Sequence, residues 1–245
     1  MTKLSVNINK IALLRNSRGR DFPSVRQFAA QCLDFGAHGI TLHPRPDQRH
    51  ARYSDIHDLK ELCDERGAEL NVEGFPSRKF LEAVLKVRPT QCTLVPDTPG
   101  QLTSDHGWNL RAEATRLRRV SAQLRHAKIR VSLFVDYDHP EIALAREVGA
   151  DRVELYTEPY AAGFHSKRRR ELIAGFRRAA GRAQQAGLGV NAGHDLNLEN
   201  LSEFLAIPNI LEVSIGHALI VESIDLGLRT ILKRYLRILR SARRF

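Results

Sequence analysis

The chain reads as an α/β protein, a single (β/α)8 TIM barrel with extra helical segments. Two observations predict it. Eight short strand-like stretches alternate with helical stretches through all 245 residues, the usual span of one such barrel. Nearly every strand stretch also closes on a polar, chemically capable residue. The first four read Val-Asn-Ile-Asn (6–9), Ile-Thr-Leu-His (40–43), Leu-Asn-Val-Glu (70–73) and Cys-Thr-Leu-Val-Pro (92–96). The last four read Ser-Leu-Phe-Val-Asp (132–136), Val-Glu-Leu-Tyr-Thr (153–157), Val-Asn-Ala-Gly-His (190–194) and Val-Ser-Ile-Gly-His (213–217). Barrel chemistry sits at the C-terminal ends of the strands, so the same stretches that predict the fold also say where to look for a site.

The first strand (4–8) runs into a polar loop with Arg15, Arg18, Gly19 and Arg20. Pro23-Ser24 opens a helix whose inner face is Val25, Phe28, Ala29, Cys32 and Leu33, stopped by Gly36. Strand two (39–43) passes into a proline-rich loop (43–50), where regular structure is disfavoured. A second helix (54–66) carries Ile56, Leu59 and Leu62 and ends at Gly67. Strand three (69–73) leads to a helix from about Ser77 with Phe80, Val84 and Leu85 inward. Strand four is followed by a long connection (97–108) with Pro99, Gly100, Thr103, Ser104 and Asp105, a length that suits a lid or binding element. Helices are expected at 109–127, 140–148, 167–186, 198–205 and 223–241, with Gly149 and Gly187 as C-terminal caps. No G-x-G-x-x-G follows an early strand, which disfavours an open doubly wound sheet. No low-complexity linker divides the chain, so one domain (1–245) is expected.

Composition narrows the function classes. Hydrophobic residues make up 42%, enough for a sizeable core, and no run approaches the roughly 18 apolar residues of a membrane span. The N-terminus enters a strand directly and lacks a signal peptide's apolar stretch. Cys32, Cys63 and Cys92, odd in number and scattered, read as reduced core thiols of a cytoplasmic protein. The formal charge of +10 sits mainly on late helices, at Lys167–Arg170, Arg177-Arg178 and Arg243-Arg244. Those runs lack interleaved aromatics to stack on bases, so solvated helix faces account for them better than nucleic-acid binding. A positive field also gathers phosphorylated small molecules.

Five titratable groups stand at strand ends: His43, Glu73, Glu154, His194 and His217. Any one alone reads as structural or solvated; together at one barrel mouth they surround a ligand with imidazoles and carboxylates, the groups of proton transfer near neutral pH. A zinc site is the competitor, but no H-x-H or H-E-x-x-H spacing is present and no metal is expected. Gly193-His194 and Gly216-His217 leave the backbone open after strands seven and eight, where barrels bind phosphate; relief of crowding at a turn is the alternative. Arg18, Arg45 and His50 offer charge for a second anionic group.

These segments resemble the pyridoxine 5'-phosphate synthase family. The resemblance rests on residues 6–19, 39–50, 71–73, 94–96, 131–136, 190–194 and 215–220, in the family's order over almost the whole chain. It implies a transferase that joins 1-deoxy-D-xylulose 5-phosphate to 3-amino-2-oxopropyl phosphate, giving pyridoxine 5'-phosphate, phosphate and water without metal or organic cofactor. It implies His43 and Glu73 as proton acceptors, His194 as proton donor and Glu154 as a stabiliser of charged intermediates. It further implies Asn7, Arg18, Asp195, Gly216 and His217 around the amino-ketone phosphate, and Arg45, His50 and Thr103 around the sugar phosphate. A homo-octamer built from dimers follows from the same resemblance, with no nucleic acid or membrane as partner. Another phosphosugar isomerase or aldolase on the same barrel is the second reading, and a basic nucleic-acid-binding protein a third. Two stretches depart from the family: Asn9-Lys10 replaces Asp-His at a deoxyxylulose-phosphate contact, where a carboxylate's acceptor role is expected to be lost, and Asp195 replaces a frequent glycine beside a phosphate.

Overall fold

The computed structural model describes residues 1–97, 100–101 and 103–242. Thr98, Pro99 and Leu102 of the expected lid, and the Arg243-Arg244 run, lie outside the described residues. Eight parallel strands close on themselves in sequence order: β1 (Lys3–Asn7), β2 (Gly39–Leu42), β3 (Glu69–Gly74), β4 (Gln91–Leu94), β5 (Arg130–Val135), β6 (Arg152–Tyr156), β7 (Gly189–Gly193) and β8 (Ile210–Ile215). Closure is made by β1, whose Val6 lies beside Ile40 of β2 and Ile215 of β8.

Helices surround the barrel: α1 (Asn9–Asn16), α2 (Val25–Asp34), α3 (Tyr53–Arg66), α4 (Arg78–Val87), α5 (Ala114–His126), α6 (Leu144–Glu147), α7 (Glu158–Gly163), α8 (Arg169–Gln185), α9 (Leu201–Phe204), α10 (His217–Leu226) and α11 (Leu228–Ser241). Ser24 and Ser77 cap α2 and α4 by accepting from the backbone N–H of Gln27 and Phe80. Among the described residues no helix is long and apolar enough to cross a membrane.

Three expectations are corrected. The polar loop after strand one is mostly helix α1, which buries Ile11, Ala12 and Arg15; an arginine on the inner face hides the periodic signal. The helix expected over 223–241 is two helices, because Gly227 at φ 79 breaks the run and α10 begins directly at His217. The helices expected at 140–148 and 198–205 shrink to single turns, α6 and α9, and α7 was not anticipated.

The inner face of the barrel is polar. Apolar strand residues such as Leu4, Val6, Ile40, Leu42, Val131 and Leu133 are fully buried and form one core with the helices. Many of their alternating neighbours point inward and bond across the lumen, which is the strand period of two; among the described residues Ser132 Oγ is buried there without a partner. Thr93 of β4 reaches Glu154 of β6 at 3.5 Å; Gln91 of β4 reaches Glu212 of β8 at 3.5 Å and receives Asn191 of β7 at 3.4 Å. Ser5 and Thr41 share a 2.6 Å hydrogen bond between β1 and β2. Branched apolar residues commonly fill this space in such barrels; here hydroxyls, amides and carboxyls do.

Cys32, Cys63 and Cys92 are buried free thiols, as expected of core positions. Burial pushes Cys32 and Cys63 up to about 12, so both stay protonated and unreactive.

A buried ion pair ties α1 to α3. The Arg15 guanidinium donates to both oxygens of Asp55, at 2.6 and 2.9 Å, with side chains only 3% and 7% exposed. Asp55 also accepts from the backbone N–H of Arg52, closing the N-terminus of α3. Removing one partner strands the other charge in the interior. Arg15→Met is therefore expected to cost about 3–5 kcal/mol in urea unfolding; a loss under about 1 kcal/mol would show that the pair holds nothing.

Candidate active site

The ends of β2, β3, β6 and β7 bring His43, Glu73, Glu154 and His194 into one mouth. His43 follows β2 directly, and its backbone N–H donates to Asn9 Oδ1 at 2.9 Å. Asn9 is itself held by Asn7, whose Oδ1 accepts the Asn9 N–H at 3.0 Å. Asn9 thus holds the backbone of His43 through its amide oxygen. Lys10 lies exposed on α1. Asn7 also reaches Glu73 Oε2 at 3.5 Å, and Asn71 reaches Glu73 Oε1 at the same distance. Thr93 donates to Asn71 Oδ1 at 3.0 Å and lies 3.5 Å from Glu154 Oε2, so one hydroxyl links the surroundings of both carboxyls.

Gly193 makes room for Glu154: a Cβ there would collide with Glu154 Oε1. Relief of crowding thus explains this glycine. The chain then turns sharply, with His194 at φ 80 and Asp195 at φ 59, two successive non-glycine residues in the left-handed region. Such strain, about 1–3 kcal/mol per residue, is tolerated where surrounding structure over-determines it and concentrates at working sites. A glycine at 195 adopts this conformation freely, and aspartate is among the side chains that tolerate it best. The His194 ring packs against Phe134 and Tyr156, centroids 5.0 and 5.4 Å away, and its enclosed Nδ1 has no hydrogen-bond partner among the described residues. Gly216 packs against Asn7, and His217 is the exposed first residue of α10, whose free N–H groups face outward from the end of β8.

The loop after β2 is rigidly held. Asn16 donates to the carbonyls of Gln48, Arg49 and His50 at 3.2, 3.0 and 2.8 Å, and Arg15 adds a bond to the His50 carbonyl. His50 lies edge-on to His43, ring centroids 6.2 Å apart. Arg45 is buried, paired with Asp97 at 2.7 Å and donating to the Gln101 carbonyl at 3.0 Å. A cavity of about 250 Å³ opens beside them, lined by His43, Arg45, Arg49, Tyr53, Phe75 and Asp97 among others.

Burial governs protonation here. It pushes Glu73 well above the usual carboxyl range, helped by the charges of Glu154, Asp97 and Glu212 and opposed by Arg45. Burial, then Glu212, raises Glu154 to about 8 against the pull of the Thr93 hydroxyl. The imidazoles move the other way. Burial, followed by Arg45, His50 and His194, holds His43 well below its ordinary value, and burial takes His194 and His50 down to about 4. Burial thus disfavours the charged form of the imidazoles and of the carboxyls alike.

The structure gathers Asn7, His43, Arg45, His50, Glu73, Glu154 and His194 around the mouth, with Asp195, Gly216 and His217 on its β7–β8 side. Arg18 and Thr103 are both exposed, Arg18 on the turn after α1 and Thr103 next to Ser104, whose hydroxyl meets Arg45 and Asp97. Sequence reasoning missed Asp97, Ser104, Asn16 and the Thr93–Asn71 relay. Among the described residues no group of three or more His, Cys, Asp or Glu is placed to hold a metal ion.

A closed parallel barrel with buried acids and bases at the C-terminal mouth defines the class of (β/α)8-barrel enzymes. Solved structures agree on the fold. Thiamine phosphate pyrophosphorylase from Pyrococcus furiosus superposes with a TM-score of 0.63 at 17% identity, over 98% of this chain and 96% of that one. Phosphoribosyl anthranilate isomerase from Thermus thermophilus gives 0.59 at 12% identity, over 97% and 100%. The family model described as "Pyridoxal phosphate biosynthesis protein PdxJ" matches residues 4–241. Pyridoxine 5'-phosphate synthase from Xanthomonas campestris pv. campestris is 51% identical, covering 97% of this chain and 96% of the relative. The synthase from Bacteroides thetaiotaomicron is also 51% identical, covering 98% and 100%. The chain belongs to the pyridoxine 5'-phosphate synthase family.

The shifted groups fix the pH dependence of stability. A carboxyl whose pKa rises on folding contributes fully below its ordinary value and loses that contribution as pH climbs through its folded value, about 8 for Glu154. The histidines oppose this: their contribution is present above about 6.5 and lost as pH falls toward about 4. Glu154→Gln should therefore be more stable than the wild type at pH 8 by about 1–2 kcal/mol and lose that advantage at pH 5. Urea unfolding at the two pH values checks this; an equal difference at both would contradict the raised Glu154.

Proposed function

We propose that this chain forms pyridoxine 5'-phosphate from 1-deoxy-D-xylulose 5-phosphate and 3-amino-2-oxopropyl phosphate, releasing phosphate and water by acid–base chemistry. The observation that carries the reading is the gathering of Glu73, Glu154, His43 and His194 in one desolvated mouth with opposite protonation tendencies. Ring closure between an amine and carbonyls needs protons taken from carbon and given to departing oxygens, several times, without water attacking the imine and enol intermediates. His43, held neutral by burial, suits a proton acceptor. Burial and neighbouring carboxyls strengthen the hold of Glu73 and Glu154 on a proton, Glu154 acting on Glu73 and Glu212 on Glu154, which suits a pair in which one carboxyl accepts while the other remains protonated and steadies charge.

Arg45 and His50, with Thr103 on the neighbouring segment, are assigned to the sugar phosphate. Asn7, Asp195, Gly216 and His217 are assigned to the amino-ketone phosphate at the β7–β8 side, where the N–H groups opening α10 favour an anion. Arg18 belongs to this group only through movement of its exposed turn or from a neighbouring subunit of an octamer. His194 is assigned as proton donor. Ligand-free, it is unprotonated near neutral pH; a phosphate dianion beside it would raise its pKa and load the proton it gives.

Purified protein supplied with both phosphorylated substrates should form pyridoxine 5'-phosphate and release phosphate, and absence of product when both bind would reject the reading. Conversion of one phosphosugar without the amino-ketone would favour the isomerase or aldolase alternative. Glu73→Gln should lower turnover at least about 100-fold with unfolding unchanged or slightly stabilised, the scale of a lost general base. Near-normal turnover would remove Glu73 from the mechanism. By NMR, the His194 ring should titrate near pH 4 in the free protein, and its pKa should rise when the amino-ketone phosphate binds. An unchanged titration would separate His194 from that phosphate.

A further inference from the structure

Asp97 stands just beyond β4, after Val95-Pro96, where one carboxylate meets three groups from different segments. Its Oδ2 lies 2.7 Å from Arg45 Nη2, accepts from Ser104 Oγ at 2.9 Å, and is 3.6 Å from His43 Nε2. Among the described residues its buried Oδ1 has no hydrogen-bond partner. The side chains of Asp97, Arg45 and His43 are all under 10% exposed. One oxygen is thus crowded with donors while the other has none, a half-satisfied arrangement that costs free energy in a buried site.

The proposed function makes Arg45 a ligand of the sugar phosphate, and the present inference rests on that reading. A phosphate carries more charge than a carboxylate and presents oxygens suited to the guanidinium fork. Two anions brought onto one buried guanidinium repel strongly, so the incoming phosphate and Asp97 compete for Arg45. The neighbouring acceptor site for a displaced carboxylate is already in place. His43 Nε2 lies only a few tenths of an ångström beyond hydrogen-bond range, which rotation about the Asp97 side chain closes. A carboxylate accepting from Nε2–H fixes the ring and leaves Nδ1 bare to take a proton.

We propose that Asp97 is the resident counter-ion of Arg45, displaced by the sugar phosphate onto His43, and so a positioning residue that makes substrate arrival set the base. A merely structural ion pair behaves differently, because its loss weakens binding and turnover together or unfolds the chain.

The test measures binding of 1-deoxy-D-xylulose 5-phosphate alone by calorimetry, and steady-state turnover with both substrates, on the full-length protein. Asp97→Asn keeps the shape and removes the rival charge. It is expected to bind the sugar phosphate about tenfold tighter while kcat falls at least about tenfold, opposite changes of roughly 1.4 kcal/mol each. Asp97→Glu keeps the charge, so its affinity should stay within about threefold of wild type and its kcat above that of Asp97→Asn. Asp97→Ser, short and neutral, carries the same expectation as the amide where the amide unfolds the protein. Binding that is no tighter, or turnover that is no slower, in the neutral variants overturns the inference. Arg45→Met separates the two levels. If it leaves sugar-phosphate affinity unchanged, the Arg45 subsite itself is wrong. If it weakens binding while Asp97→Asn fails to tighten it, only the role of Asp97 falls.

Discussion

A closed barrel with a polar inner face must satisfy that face from within, and this constraint shapes the molecule. An inward hydroxyl, amide or carboxyl on one strand is stabilised by a partner on another, because the lumen is otherwise low in dielectric and an unpaired polar group costs about 1–3 kcal/mol there; Ser132 Oγ is an exception among the described residues. The bonds Ser5–Thr41, Thr93–Asn71 and Gln91–Glu212 meet that need by spanning strands, so they resist any slip in register. A one-residue slip would turn Leu4, Val6 and their counterparts into the lumen and send the polar set into the helix layer. Polar pairing inside and apolar packing outside thus specify the same alignment.

The mouth inherits its chemistry from that interior. Carboxyls at 73 and 154 sit at the top of a polar column that screens them poorly and charges them reluctantly, and the imidazoles at 43 and 194 are disfavoured as cations for the same reason. Precision comes from elsewhere. Asn16 clamps three successive carbonyls of the loop that carries His50, and Arg15–Asp55 anchors the helix that carries Asn16. The site therefore combines a rigid wall on the β1–β3 side with a strained turn at His194-Asp195 on the opposite side.

Much of this was legible before the structure. Strand ends such as Ile-Thr-Leu-His and Leu-Asn-Val-Glu identify both the barrel and the mouth, because hydrophobic alternation and a terminal titratable residue are local signals. Other features are not local. Asp97 looks like an ordinary turn aspartate after a proline, and only the folded chain brings Arg45, fifty-two positions earlier, against it. Arg15 reads as a solvated cation until Asp55 is placed beside it. The alternation that marks half-exposed strands elsewhere here conceals a buried polar lumen, since sequence shows polarity but not which side of a strand water reaches.

The first strand's departure from the family takes on a different meaning in this light. A side-chain oxygen at position 9 must accept the backbone N–H of His43, and Asn9 does so at 2.9 Å as an aspartate would. What changes is charge. The neutral amide keeps the scaffold for His43 without adding an anion, and Lys10 on the exposed side of α1 adds positive charge that bears on His50. Position 9 thus separates two properties, orientation of the His43 backbone and local charge; this chain retains the first and neutralises the second.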